Sequence, residues 1–576
     1  MTLRPRPGSK GTSRARAWDD SDRRSTLLNV GFGLAIVASL LLLVIAWGVS
    51  WYSDHLAPAA TVNGQSVSKD AYVKAVDVNS FRADYQKSRI RTLLSANHIR
   101  PSDAETRTAI IDQRVAQIDT LTLEQLVDGM VQADLASKQG VSVTDADVDA
   151  KIKEEATTPE LRHAWLIAVT PEIKTGETVA TDEAKAAAKA KADQALVDLK
   201  AGKAWEEVAK AVSTDTTKGQ GGDLGFIDKD SSLEGAYLDA LQAVALNTPT
   251  AVLEGSDGTY RIGRVTEVIA AAEDTAYLTK VADAGISTDD FRAAIRRDVT
   301  RARLNEAILA PFLVPGLQRE VSQIKLEVSA SETGPKAVKT RHILYSPNDD
   351  PNAASTLGAD DPAWTKAKAD ADAAYAKIKA DPTLFDSIAR AESDEGAAKT
   401  SGGKLPYFSQ SDSIDQAFAD AIFADGLKAG QVLAPVKSSF GWHVIQVLYY
   451  PPTADFAKSL KADLDSGKVT FADAARDYSD ASSSSKGGET GWVAKGQLSA
   501  DLEKAIFAAP VGKVSDPVLV GTTGTYLLYV SKEETRELSS DQKATIEATV
   551  FADWYAEQKG TYTITRDSSI TGATAG

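Results

Sequence analysis

One pattern recurs three times along this chain, and a recurring unit constrains a fold more than any average property does. Ser213-Thr214-Asp215 precedes Gly221-Gly222 and Gly225-Phe226; Ser393-Asp394-Glu395 precedes Gly402-Gly403 and Tyr407; Ser479-Asp480-Ala481 precedes Gly487-Gly488 and Gly491-Trp492. An amphipathic helix pattern with an aromatic residue (Trp205, Phe385, Phe471) comes before each copy. An acidic, apolar-periodic helix and a short strand containing glycine come after it. Only the middle copy also carries two histidines, His342 and His443.

The 576 residues are enough for several cores, since one core rarely grows past about 250–300 residues. The formal net charge of −16 argues against a nucleic-acid partner, because phosphate backbones need a basic face. Residues 1–26 run against that average, with seven Arg and Lys against three Asp. Leu27 to Tyr52 then contains no charged residue, and a run of about 20 apolar residues spans a bilayer as a helix. Trp47, Trp51 and Tyr52 sit at its far end, where amphipathic rings favour the interface. The basic excess on the near side predicts residues 1–26 in the cytoplasm and the bulk of the chain outside, on a bacterial cell membrane. A cleaved signal peptide ending near Ala57-Pro58-Ala59 is the competing reading; the apolar run exceeds the ~7–15 residues of such segments, which favours a retained anchor. The chain has no Cys, so disulfides, a lipidated cysteine and thiolate chemistry are excluded. The five histidines show no ligand spacing, so neither a metal nor another cofactor is expected.

Outside the repeats the pattern is helical. Thr61-Val62-Asn63-Gly64-Gln65-Ser66-Val67 reads as two short strands about an Asn-Gly turn, and Ser68 caps a following helix. Helices are expected over Arg107–Ile118, Leu123–Ser137, Val148–Glu155 and Asp289–Ile308. Ser539–Lys559 carries the stripe Ile546, Val550, Trp554 and Tyr555, which predicts a helix packing back on the N-terminal helices. The Ser/Thr/Gly/Ala tail at 561–576 reads as disordered.

The segments "TVNGQSVSKDAY", "EQLVDGMVQADLASKQGVSVTDADVDAKI" and "AGISTDDFRAAIRRDVTRARLNEAI" resemble the helical chaperone module of the SurA/PpiD/PrsA group of exported foldases. The repeat resembles a parvulin-type peptidyl-prolyl isomerase domain. The middle copy carries that resemblance furthest, through Thr340-Arg341-His342-Ile343-Leu344, Ser393-Asp394-Glu395, the Gly pair, Ile414 to Phe423, Gly430 to Val436, and Ser439-Phe440-Gly441-Trp442-His443. The resemblance implies an α+β chain with one transmembrane helix, a helical SurA-like module, and three parvulin-like domains, each a small antiparallel sheet with surrounding helices. Its expected layout is a basic tail at 1–26, an anchor at 27–52, the chaperone module at 56–160 and 271–335, and an inserted first repeat at 161–270. The active second repeat follows at 336–450, a truncated third repeat at 451–533, and a terminal helix at 534–560.

The resemblance further implies that His342 and His443 face each other across the floor of the site. Ile414, Phe418 and Phe440 form an apolar proline pocket, and Glu395 stands beside the rotating amide where the family has Cys or Asp. Ordinary roles compete with each of these: strand histidines pair to hold sheets, Ile414 and Phe418 at helical spacing are core, and a lone Glu395 is a solvated charge. Repeat one is expected to place Tyr260 where His443 stands, with His163 or Trp165 at the other histidine position. Repeat three is expected to start only a few residues after repeat two with no opening histidine strand, to carry Tyr526 at the His443 position and to carry Ala481 in place of the acid. Both are therefore expected to be silent. Asp349, Asp350, Asp360 and Asp361 follow His342 and argue against phosphate-directed recognition, which uses basic residues. The expected partners are unfolded or newly exported polypeptides, the membrane, and the secretion machinery as a candidate. The competing function is a non-enzymatic holdase whose repeats only recognise chains; a surface scaffold binding one fixed partner is a third reading.

Overall fold

The computed structural model describes residues 15–173, 180–229, 231–328, 337–522 and 524–571. The expected basic tail falls largely, and the end of the C-terminal tail wholly, outside them. The chain divides into two compact units, Met1–Asn305 with Glu557–Gly576, and Glu306–Ala556.

The first unit opens with the helix Ala15–His55, whose Leu34–Tyr52 segment is unburied, has mean hydropathy 2.3, and is long and apolar enough to cross a membrane. Asn63 and Gly64 take positive φ (47° and 83°), and this tight turn pairs Pro58–Val62 with Gln65–Ser68. The third strand of that sheet is Ile564–Arg566, which pairs with Pro58–Val62. The described part of the tail, residues 561–571, is thus ordered where disorder was expected. Thr563, Ile564 and Thr565 are β-branched residues that fit a pleated strand, and the Ser/Thr composition masks them. Helices Lys69–Ser95, Pro101–Val115, Ile118–Lys138 and Asp145–Ala156 follow. The last is started by a capping box between Thr144 and Asp147. Val78, Val148, Ile152, Tyr277, Phe291 and Ile295 share one core. Repeat one is a four-stranded antiparallel sheet in the order Asp223–Ile227, Leu161–Val169, Tyr260–Ile269, Leu253–Glu254. The chain enters and leaves it through paired strands, Thr157–Thr158 against Ala272–Glu273.

The second unit holds repeats two and three. The sheet of repeat two runs Lys404–Ser409, Ala337–Tyr345, Trp442–Tyr449, Val436–Lys437, all antiparallel. Helices Pro362–Ala380 and Phe385–Glu392 bury one face through Ile343, Tyr345, Ala371 and Ile378. Helix Gln416–Ile422 covers the other through Val338, Phe418, Ile445 and Val447. Repeat three has the same sheet, in the order Glu489–Val493, Gly316–Glu327, Gly524–Arg536, Val518–Val520. This corrects the expected layout. Residues 316–327 are the opening strand of repeat three, and repeat two lies in the sequence between that strand and the rest. The terminal helix Ser540–Lys559 does not direct its whole stripe to the N-terminal helices. Ile546 and Val550 pack with Leu309, Phe312, Ala494 and Leu538 of the second unit. Beyond Glu557, Lys559 pairs with Asp128 at 2.6 Å.

Candidate functional site

Side chains alternate across a strand, so Ala337–Tyr345 sends His342 to the face covered by Phe418 and its neighbours Arg341 and Ile343 to the other. In the antiparallel ladder His342 stands opposite Ile445 and Leu344 opposite His443, which makes the two histidines diagonal neighbours on one face. Both are 5 % exposed. Their rings stack with centroids 5.1 Å apart and 15° between planes, and Nδ1 lies 2.9 Å from Nδ1. Phe418 meets both edge-on, at 5.8 Å from His342 and 5.2 Å from His443. The outer nitrogens are also held: His342 Nε2 bonds the Glu395 carboxylate, and His443 Nε2 lies 2.6 Å from Ser438 Oγ.

The donors and acceptors are satisfied by a pattern in which both rings are neutral. An ionised Glu395 only accepts, so His342 Nε2–H donates to it and His342 Nδ1 is an acceptor. His443 Nδ1–H donates to that nitrogen, and the Ser438 hydroxyl donates to His443 Nε2. Ser438 Oγ in turn accepts from the Phe440 N–H at 3.0 Å. Burial, reinforced by the neighbouring His342, pushes the His443 imidazole down to about 3 from its ordinary 6.5. The hydrogen bond from His342 outweighs burial and holds the Glu395 carboxyl below the usual range.

Ile414 is half-buried and packs beside Phe418, as the four-residue spacing requires. Phe440 is 47 % exposed and lies outside that cluster; its carbonyl accepts from the Ser346 hydroxyl at 2.8 Å. Sequence reasoning passed over Ser438 and Asp415. Asp415 caps the Phe418 helix and accepts from the Ser439 N–H and hydroxyl at 3.1 and 2.9 Å, which ties the loop over the histidines to the wall beside them. Its signal was an Asp directly before the apolar-periodic run.

The glycine pairs show why the motif repeats, and they align the three copies. Gly403 has φ +79°, and a Cβ there would stand 2.1 Å from the His342 carbonyl oxygen. Its own carbonyl accepts from the His342 N–H at 2.8 Å. Gly222 makes this bond to Leu166 and Gly488 makes it to Gln323. Ser393, Ser213 and Ser479 accept from the N–H of Leu344, Ala168 and Lys325 respectively. The His342 position is therefore Leu166 in repeat one and Gln323 in repeat three, neither His163 nor Trp165. His163 lies three residues earlier and bonds Asp223 at 2.8 Å. Ladder partners place Arg261 and Tyr526 at the His443 position, so Tyr260 sits one residue too early. Asp215 and Ala481 take the place of Glu395. Counting from the helix caps, Tyr237 replaces Phe418 in repeat one; it is 1 % exposed and its hydroxyl donates to the Trp165 carbonyl. A separate cavity of ≈ 730 Å³ in the first unit, lined by Arg89, Arg107, Lys153 and Asp228, contains no histidine.

The description "PPIC-type PPIASE domain" matches residues 151–268, 324–449 and 452–532, and "SurA-like N-terminal domain" matches 22–159. A relative from Yersinia pestis bv. Antiqua named Chaperone SurA is 40% identical over 111 residues, 19% of this chain and 22% of that protein. A Chaperone SurA of Chromobacterium violaceum is 28% identical over 291 residues, 46% of this chain and 64% of the relative. The match thus spans about a fifth of the first relative's length and under two thirds of the second's. A solved structure titled for the SurA-like chaperones PEB4 and Cj1289 of Campylobacter jejuni aligns over 44% of this chain and 95% of that one, at 20% identity and TM-score 0.17.

Proposed function

We infer that this chain, which joins a SurA-like N-terminal domain to PPIC-type peptidyl-prolyl isomerase domains, is an extracytoplasmic foldase whose catalytic site is repeat two. The observation that carries the reading is the chain of hydrogen bonds Ser438–His443–His342–Glu395 beneath Phe418. Repeats one and three put Leu166 with Arg261 and Gln323 with Tyr526 at the histidine positions, and they are silent.

The amide before proline rotates over a barrier of about 18–20 kcal/mol. Unaided, it does so in tens to hundreds of seconds. No bond is broken, so a site need only bind the twisted amide better than the planar one. Phe418 and Ile414 offer the proline ring an apolar wall, and the exposed Phe440 stands at its rim to close over it. The planar amide carries negative charge on its oxygen by conjugation. The ionised Glu395 beside it opposes that charge and so disfavours planarity. His342 and His443, mutually bonded, give the amide a rigid floor, and rotation needs no proton transfer.

The apolar part of the helix Ala15–His55, within residues 27–52, serves as the anchor, with the basic residues before that part on the cytoplasmic side and the remaining domains outside. Repeat one is an insertion into the helical module, entered and left through the pair Thr157–Thr158 and Ala272–Glu273. The clients are newly exported, incompletely folded chains, met close to the secretion machinery. A non-enzymatic holdase is the second reading, favoured by the two repeats that lack histidines at the positions of His342 and His443. An isomerisation assay on an unphosphorylated proline tetrapeptide separates the two: acceleration by the purified chain supports the foldase, and none from a folded protein supports the holdase.

A further inference from the structure

Behind the histidines, the sheet of repeat two carries cations where an apolar layer is expected. Lys339 and Arg341 lie on the His342 strand with their side chains on the alternate face, and Lys404 is the ladder partner of Arg341. Their side chains are 1 %, 1 % and 4 % exposed. Charges this far from water must be paired. Asp386, on a helix of repeat two, stands 3.9 Å from Lys404, but the nearest carboxylate of Lys339 and of Arg341, and the nearest carbonyl of Lys404, come from repeat three.

Helix Phe471–Tyr478 of repeat three ends against this face. The Arg476 carbonyl accepts from Lys404 Nζ at 2.7 Å, and Asp477 accepts from Arg341 Nη1 at 2.9 Å. Asp480, just past the helix, pairs with Lys339 at 3.0 Å. A helix C-terminus carries the negative end of the backbone dipole, so carbonyl and carboxylates act in the same sense. Asp480 is itself fixed, accepting from the Glu327 N–H at 2.9 Å on the opening strand of repeat three. Tyr407, Leu448 and Tyr449 of repeat two share a core with Ile324, Leu326, Leu460 and Leu527 of repeat three.

The cation face also reaches the histidines. Arg341 Nε donates to Gln446 Oε1 at 2.7 Å, directly across the ladder. That rung is adjacent to His342–Ile445 and bridges the two strands that carry the histidines. Asp477 grips the far end of the same guanidinium.

We propose that repeat three, silent as an isomerase, is the positioning partner of the catalytic repeat: Asp477 and Asp480 hold Arg341 and Lys339, and through them set the spacing of His342 and His443. This rests on repeat two being the isomerase. The test uses the full chain in detergent, with Asp477→Asn, Asp477→Glu and the double variant Arg341→Met with Asp477→Asn. The double variant leaves no orphaned buried charge and keeps the question open should the single variant fail to fold. Glu533→Gln, which breaks an ion pair to Arg319 within repeat three, is the control. Each is followed by kcat and KM separately and by the imidazole nitrogen resonances of His342 and His443. The expected result is a fall in kcat of roughly ten- to a hundred-fold with little change in KM, since small misplacements far from the chemistry cost that much. Shifted imidazole resonances should accompany it, with partial rescue by Asp477→Glu and no effect of Glu533→Gln. A folded double variant with wild-type kcat and unmoved resonances overturns the proposal, as does an equal loss in the control. If the wild-type chain shows no isomerase activity, the catalytic reading fails by itself, and the imidazole resonances still decide whether Asp477 positions the histidines.

Discussion

Replacing Phe418 by Ala separates the two duties of that ring. The side chain is 6 % exposed and packs with Val338, Ile422, Ile445 and Val447, while its edge meets both histidines. Most of the ring is therefore core, and truncation should destabilise the second unit by about 3–5 kcal/mol. Only the rim toward the histidines is left to touch a proline. Its share of the ~1.5–3 kcal/mol that a buried aromatic contributes falls at the lower end of that range. At about 1.4 kcal/mol per factor of ten, kcat/KM for an unphosphorylated Xaa-Pro tetrapeptide should fall roughly tenfold. Phe418→Leu, which keeps part of the volume, should recover much of the stability and less of the activity. Thermal melts must accompany the kinetics so that only the folded fraction is counted. A fully folded Phe418→Ala protein with kcat/KM within about twofold of wild type would refute the pocket assignment, since that is well under the ~1.4 kcal/mol expected.

Glu395→Gln keeps the shape of the side chain but removes its charge and its acceptor-only character. It should lower kcat more than KM and shift the His342 nitrogen resonances; unchanged kinetics would reduce Glu395 to a structural partner. Lys404 is buried and its ammonium is pushed down to about 8 by desolvation, against an ordinary 10.5. The folded state thus binds fewer protons than the unfolded one between those values, and stability attributable to Lys404 should rise across pH 8 to 10.5. Comparing wild type with Lys404→Met by thermal melts checks this, and a flat difference would contradict it. His443 follows the same sign lower down: its burial penalty grows as pH falls from 6.5 toward 3, and the activity profile should show no inflection from His443 near 6.5. Joining Thr158 to Ala272 by a short linker removes repeat one between two paired strands, and the remaining chain should still unfold cooperatively; loss of that cooperativity would count against the insertion.

The middle repeat was legible in sequence because each part of its site carries its own local signal: a strand, a Gly-Gly turn whose φ excludes other residues, and a capped helix. The opening strand of repeat three was not, because repeat two separates Gly316–Glu327 from its sheet and the strand carries Gln323 where a histidine was sought. Register in repeat one was hidden by the shift in pairing between His163 and Trp165, which defeats simple counting from the histidine. The buried cations on the rear face read as ordinary strand charges; nothing local in Lys339 or Arg341 announces carboxylates about 140 residues downstream. Ser438 was passed over because a serine before an aromatic is common, and only the folded loop brings it to His443.

The central claim is that one repeat of three catalyses proline isomerisation. The most direct measurement is the relaxation rate of an unphosphorylated proline tetrapeptide with the intact chain, set beside a chain carrying His342→Ala, Glu395→Ala and Phe418→Ala together and shown by melting to retain its second unit. The structure predicts clear acceleration by the first and none above the spontaneous rate by the second, even though repeats one and three are untouched. Equal acceleration by both proteins, or none by the intact chain when folded, would contradict it.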